Sequence, residues 1–214
     1  MEESLGMIAE QSLHRFLDEL ASSTPTPGGG SAAALMGAMG AALVSMVCNL
    51  TIGKKDTESV HAELRQTLAE AEALRHRLTA SIADDVQAFD ALMAAYRLPR
   101  TTDEDRLARG HAVQDALKRA TDVPLACAEA CVEVIELARR VAPIGHRGVI
   151  SDAGVASAAA YAGLRSAALN VAINVPSIQD AEFAASRRAR LGRLLARSGA
   201  DSEHVYDTVL GRLG

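Results

Sequence analysis

Tryptophan is absent from the 214-residue chain, aromatic residues make up only 3%, and there are three cysteines. Each shortage excludes something. Scarce aromatic and β-branched residues disfavour a strand-rich fold, whose pleated surfaces those side chains suit best. Cys48, Cys127 and Cys131 are too few, and odd in number, for a disulfide scaffold in a chain this long. They suit reduced thiols in a cytosol. Positive charge is not in excess either. The 22 Lys and Arg stand against 27 Asp and Glu, a net charge of -5, which argues against a protein that binds nucleic acid over a broad surface. The acidic start, Met1-Glu-Glu-Ser4, leads into an amphipathic stretch, and no signal peptide is legible.

What the chain has in quantity is alanine, 42 residues or about one in five. Alanine is the best helix former, and 49% hydrophobic residues with modest net charge exclude a disordered chain. The expectation is a single domain over 1–214, an all-α bundle of about six to eight helices. Ala32 to Ile52 runs without a charge and is long enough to span a membrane. It is rich in Ala, Gly, Ser, Asn and Thr, which insert poorly, so it reads as a buried core helix and no membrane partner is expected.

Apolar periodicity places the elements. Leu5, Ile8, Leu13, Phe16, Leu17 and Leu20 share a stripe; Ser22 to Ser31 then breaks any helix, with Ser31 a plausible N-cap for the apolar helix after it. Gly53, Lys54 and Lys55 close that helix. A long helix is expected from Asp56 to about Tyr96, and another over about 104–140 capped by Thr102 or Asp103, with Pro124 kinking or dividing it. A loop covers 142–150, Ser151 and Asp152 cap a small-residue helix to about Ile173, and two stretches, about 179–197 and 201–212, finish the chain. The helices 32–52 and 153–173 are small or apolar nearly throughout. They should be central, and burial on all sides in so modest a chain suggests a homo-oligomer.

Few residues stand out as chemistry. Gly28, Gly29 and Gly30 before a helix could cradle an anion or be a flexible turn. Neither a phosphate-binding loop nor a dinucleotide fingerprint is present. At about 100° per residue, Asp85 falls at the edge of the stripe that holds Ile82 and Phe89, while Asp84 points away. A carboxylate on a packed face needs an ion-pair partner or a catalytic purpose. Asp152 is a good capping or first-turn residue. Asn170 and Asn174 share a face at i, i+4, as polar core ligands or merely the polar end of a helix. The six histidines (His14, His61, His76, His111, His146 and His204) form no metal-binding pattern. Cys127 and Cys131 share a helix face and read as core packing.

Longer motifs carry a resemblance. Pro25-Thr-Pro-Gly-Gly-Gly-Ser-Ala-Ala-Ala34, Gly40 through Lys55, Asp84-Asp-Val-Gln-Ala-Phe-Asp90, Ala95-Tyr-Arg-Leu-Pro-Arg100, Thr121-Asp-Val-Pro-Leu-Ala-Cys127, Val149-Ile-Ser-Asp-Ala-Gly-Val-Ala156 and Ala160 through Val171 resemble the formiminotransferase-cyclodeaminase/methenyltetrahydrofolate cyclohydrolase family. The resemblance implies an all-helical cytoplasmic homodimer with folate bound in a groove near the subunit interface. Its wording is most similar to free-standing bacterial cyclohydrolases, which hydrolyse 5,10-methenyltetrahydrofolate to 10-formyltetrahydrofolate without a prosthetic group. The alternatives are a formimidoyltetrahydrofolate cyclodeaminase releasing ammonia and a non-catalytic helical binding module. On this resemblance Asp85 and Asp152 are the expected acid–base carboxylates, with Lys54 as proton donor or electrostatic partner. Lys54, Lys55, Arg100 or Arg165 would hold the anionic glutamate tail. Pro27, Gly28, Gly29, Gly30, Ser31, Asn170 and Asn174 would complete the substrate site, with no metal ligand among them.

Overall fold

The structure is a computed structural model that describes residues 11–214; Leu5 and Ile8 of the first apolar stripe lie outside the described residues. Among the described residues six α-helices follow one another: α1 (Leu13–Leu20), α2 (Gly29–Thr51), α3 (His61–Arg97), α4 (Asp103–Val141), α5 (Ile150–Asn174) and α6 (Ala181–Leu213). Short 3-10 turns at Lys55–Val60, Arg147–Val149 and Val175–Ser177 lead into α3, into α5 and out of α5. Among the described residues there is no strand. The fold is the expected all-α bundle.

α2 and α5 run antiparallel through the centre. Their alanines and glycines let the backbones nearly touch. A Cβ on Gly40 would stand 2.8 Å from Ala156 O, and one on Gly163 would stand 2.9 Å from Ala33 O. α3 and α4 form an antiparallel hairpin against this pair, and α6 closes over α4 and α5. Val44, Val47, Leu64, Leu78, Val134, Ile135, Ile150 and Leu164 fill the middle with their side chains fully buried. α2 is long and apolar enough to cross a membrane, yet 61% of its most apolar window is buried inside the fold. Its small residues, Ala33, Ala34, Gly37, Ala41 and Ser45 among them, pack in the core.

The helix ends correct several expectations. Gly28, not Ser31, is the N-cap of α2; Ser31 falls one turn inside, and its hydroxyl is drawn to a carboxylate on α3. α5 begins at Ile150 without a side-chain cap, so Ser151 and Asp152 lie in its first turn. Thr102 does cap α4, in a reciprocal pair with Asp105. Pro124 does not divide α4, which runs through it as one element. The last two stretches are also one helix, α6. At their expected junction Ser198 donates its hydroxyl to Leu194 O (2.6 Å), and Gly199 admits the Tyr161 hydroxyl, 3.1 Å from where a Cβ would stand. Gly53 takes the left-handed conformation expected after α2, with φ 91°.

Candidate active site

At one end of the bundle the start of α2, the middle of α3 and the end of α5 enclose a cleft of about 360 Å³. It lies within the size range of small-molecule sites. Pro25, Thr26 and Gly28 to Gly30 form one wall, and Asp85, Phe89, Leu92 and Met93 of α3 a second. Ala120 and Pro124 of α4 with Asn170, Ile173 and Asn174 of α5 complete it. A larger cavity of about 670 Å³ between α3, α4 and α6 contains none of the expected site residues. Four of its charged residues pair among themselves, Arg77 with Glu133 and Arg140 with Glu70 (both 2.6 Å).

Asp85 is the only charged residue lining the smaller cleft among the described residues. α3 presents it half-buried, one turn before Phe89, while Asp84 is exposed. Ser31 donates its hydroxyl to Asp85 Oδ2 at 2.8 Å, and Gly30 packs so closely that a Cβ there would fall 2.0 Å from Asp85 Oδ1. Burial pushes the carboxyl above the ordinary aspartate range, opposed by hydrogen bonds from the Ser31 hydroxyl and backbone N–H. Among the described residues no cation pairs with it. The ion-pair alternative is therefore replaced by a desolvated carboxylate at a helix N-terminus, a setting that suits proton transfer. The glycine run is the first turn of α2, so its free N–H groups sit at the positive end of the helix dipole.

Asn170 and Asn174 border the same cleft. Asn170 Nδ2 donates to Ser166 O (2.9 Å), and Asn174 Nδ2 donates to Ala120 O (2.8 Å) and Asn170 O (3.1 Å). Pro27 is buried in the strap before α2. The structure therefore gathers Gly28, Gly29, Gly30, Ser31, Asp85, Asn170 and Asn174. It does not gather the rest. α2 spans about 33 Å from Gly29 to Thr51, with Lys54 and Lys55 exposed beyond its far end. Asp152 lies about 27 Å along α5 from Asn170, at that same far end, where His146 N–H donates to Thr51 Oγ1. Arg100 is exposed in the α3–α4 turn, and Arg165 is exposed on α5, with its guanidinium 5.9 Å from the Tyr161 ring centroid.

Sequence reading missed Phe89, Leu92, Met93 and Pro124 as cleft residues. Phe89 could have been found as the aromatic one turn after Asp85, and Pro124 as a proline inside a helical pattern. Leu92 and Met93 look like any core positions until α2 and α5 are in place.

The sequence profile described as Formiminotransferase-cyclodeaminase matches residues 12–193. The chain belongs to this family. It is 58% identical over 207 residues to a methenyltetrahydrofolate cyclohydrolase of Methylorubrum extorquens, covering 97% of this chain and 100% of that protein. It is also 36% identical to a formimidoyltransferase-cyclodeaminase of Sus scrofa, across 94% of this chain but only 37% of that longer protein. Among solved structures, a formiminotetrahydrofolate cyclodeaminase from Thermotoga maritima superposes with a TM-score of 0.78 at 30% identity, covering 95% of this chain and 96% of that one. The bundle is the family's own architecture.

Proposed function

We propose that the chain is a methenyltetrahydrofolate cyclohydrolase, hydrolysing 5,10-methenyltetrahydrofolate to 10-formyltetrahydrofolate. The observation that carries this reading is the 58% identity to a protein of that name along its whole length. The cyclodeaminase alternative draws on lower identity, 36% and 32% to part of longer proteins and 30% to the Thermotoga maritima cyclodeaminase along nearly its whole length.

The cleft's chemistry supports the assignment of Asp85 as the acid–base group. The substrate carries an amidinium carbon between N5 and N10, already electrophilic, and a carboxylate beside it stabilises the cation. Water attacks that carbon while Asp85 takes one of its protons. The carboxyl then returns that proton to N5 as the carbon–N5 bond breaks. The hydroxyl on the carbon loses its own proton to solvent, leaving the formyl group on N10 and one proton released overall. A carboxyl raised by burial serves both halves, since it is a better base for water and a competent acid for N5. The free N–H groups of Gly29 and Gly30 supply donors, and Phe89, Leu92 and Met93 supply an apolar wall for a flat ring.

Lys54, Lys55, Asp152 and Arg165 enter this account through a homodimer. Met39, Met46 and Leu50 of α2 and Val155, Leu169 and Ile173 of α5 are exposed, Leu169 and Ile173 to 73% and 75%. An apolar face of that length marks an interface. Two-fold pairing of antiparallel helices would lay the Lys54–Asp152 end of one subunit over the partner's Asp85 cleft. There Lys54 would assist as proton donor or electrostatic partner and Asp152 as a second carboxylate, while Lys55, Arg100 and Arg165 would meet the glutamate carboxylates. The cytoplasm, where folates circulate, is the compartment this reading assigns, with free thiols at Cys48, Cys127 and Cys131 in keeping.

Two assays on the purified protein test the reaction. With methenyltetrahydrofolate, loss of its absorbance faster than the spontaneous rate is expected. With formimidoyltetrahydrofolate, methenyl formation with ammonia release would transfer the assignment to the cyclodeaminase.

A further inference from the structure

Pro124 sits in the interior of α4, where a proline is ordinarily destabilising because it has no N–H for the carbonyl four residues back. Here that carbonyl belongs to Ala120, and it accepts instead from Asn174 Nδ2 on α5, at 2.8 Å. A carbonyl only accepts, so the nitrogen side of the Asn174 amide must face it and Oδ1 must face the other way. Asn170 is held alike by Ser166 O, at 2.9 Å. Both side chains line the cleft, and neither Oδ1 receives a hydrogen bond among the described residues. The cleft thus has two locked acceptors on one wall.

The wall continues in a fixed order. Asn170 Nδ2 lies 3.7 Å from where a Cβ on Gly29 would stand, and a Cβ on Gly30 would strike Asp85. Gly29 and Gly30 are the first residues of α2, so their N–H groups lack intrahelical partners. From Asn174 to Asn170 to the start of α2 to Asp85 the sequence of groups is acceptor, acceptor, donor, carboxylate.

We infer that this wall reads the 2-amino-4-oxopyrimidine edge of the reduced pterin, a reading that rests on the cyclohydrolase assignment. That edge presents two donors, the 2-amino group and N3–H, and then the 4-oxo acceptor; on the next ring atom but one from the oxygen-bearing carbon comes N5. Asn174 Oδ1 accepts from the 2-amino group, Asn170 Oδ1 accepts from N3–H, and Gly29 and Gly30 N–H donate to the 4-oxo oxygen. This register sets N5 and the reacting carbon against Asp85. Pro124 is a positioning residue that acts through Asn174 by freeing the Ala120 carbonyl.

The test compares methenyltetrahydrofolate with its 2-desamino-2-methyl analogue, which lacks the donor assigned to Asn174. For the wild-type enzyme kcat/KM should favour the parent by about tenfold, the worth of one neutral hydrogen bond to a built acceptor. Asn174→Leu should bring that preference close to one, raising KM for the parent about tenfold while kcat falls less. Where Asn174→Leu does not fold, Pro124→Ala/Asn174→Leu restores a helical donor to Ala120 O and is expected to give the same loss of preference. A wild type that turns over both compounds equally well, or a variant that keeps the full preference, overturns the inference and leaves the cyclohydrolase reading standing. Absence of methenyl turnover by the wild type overturns both.

Discussion

Gly30→Ala should cripple the enzyme with a single methyl group. The new Cβ would fall 2.0 Å from Asp85 Oδ1, 2.5 Å from its Cγ and 2.8 Å from Oδ2. Ordinary contact begins at 3.4 Å, so the nearer oxygen must retreat by the difference between 3.4 and 2.0, about 1.4 Å. That retreat pulls the carboxylate off the Ser31 hydroxyl, now 2.8 Å away, and away from the reacting carbon. A misplacement of about 1 Å at a reacting group costs on the order of 100-fold in rate, so kcat/KM for methenyl hydrolysis should fall by at least about that factor. Stability should change far less. Overpacking costs about 1–3 kcal/mol, against a gain of roughly 1 kcal/mol for removing glycine from a helix. Gly192→Ala is the matched control: nothing lies within 4 Å of its added Cβ. It should gain up to about 1 kcal/mol and retain wild-type turnover. Stopped-flow absorbance of the methenyl chromophore and urea denaturation read the two quantities. Gly30→Ala with kcat/KM within threefold of wild type would refute the argument that Asp85 is held at the reacting position by contact with Gly30.

Asp85→Asn should lose about 10²–10⁴-fold in turnover, the usual worth of a general acid–base group. The same substitution should stabilise the fold near pH 7. With the folded-state value raised, stability tied to Asp85 is fully present below the ordinary aspartate range and is lost as pH rises through the raised value. The stability advantage of the asparagine in urea melts should therefore vanish on acidification, and a variant no more stable at pH 7 than wild type would contradict the burial argument. Leu169→Glu places a charge at a position 73% exposed on the apolar α2–α5 face, outside the lining of the cleft. Sedimentation should show wild-type dimers and variant monomers, and an undiminished dimer would place the interface elsewhere. Mixing inactive Asp85→Asn and Lys54→Ala subunits should restore up to about a quarter of wild-type activity, because a shared site leaves one intact site in each mixed dimer. No restoration would mean that Lys54 does not reach the partner's cleft.

Most of the fold was legible because helical periodicity and capping are local. Thr102 announced the start of α4, and Gly53 the end of α2, through chemistry confined to a few residues. The errors share a cause. Ser31 has the chemistry of a cap, but Asp85, 54 positions away, competes for its hydroxyl. Ser198 and Gly199 read as a break until Tyr161 is found occupying the space that the glycine leaves. The candidate site divides in the same way. Asp85 and the glycine run could be singled out from pattern, and Asn170 with Asn174 from spacing. Which of them meet depends on α2 and α5 running antiparallel. That packing also separates Asp85 from Lys54 and Asp152 by the length of a helix. Pro124 shows the limit most clearly: in sequence it is a helix breaker, while in the fold its missing N–H is answered from another helix.

Methenyltetrahydrofolate and 10-formyltetrahydrofolate should be tracked together, with the purified enzyme, with Asp85→Asn, and in buffer alone. Wild type should convert one to the other in equal amounts well above the spontaneous rate, with Asp85→Asn close to buffer. A wild-type protein no faster than buffer would contradict the cyclohydrolase reading, and an Asp85→Asn protein as fast as wild type would remove Asp85 from the chemistry.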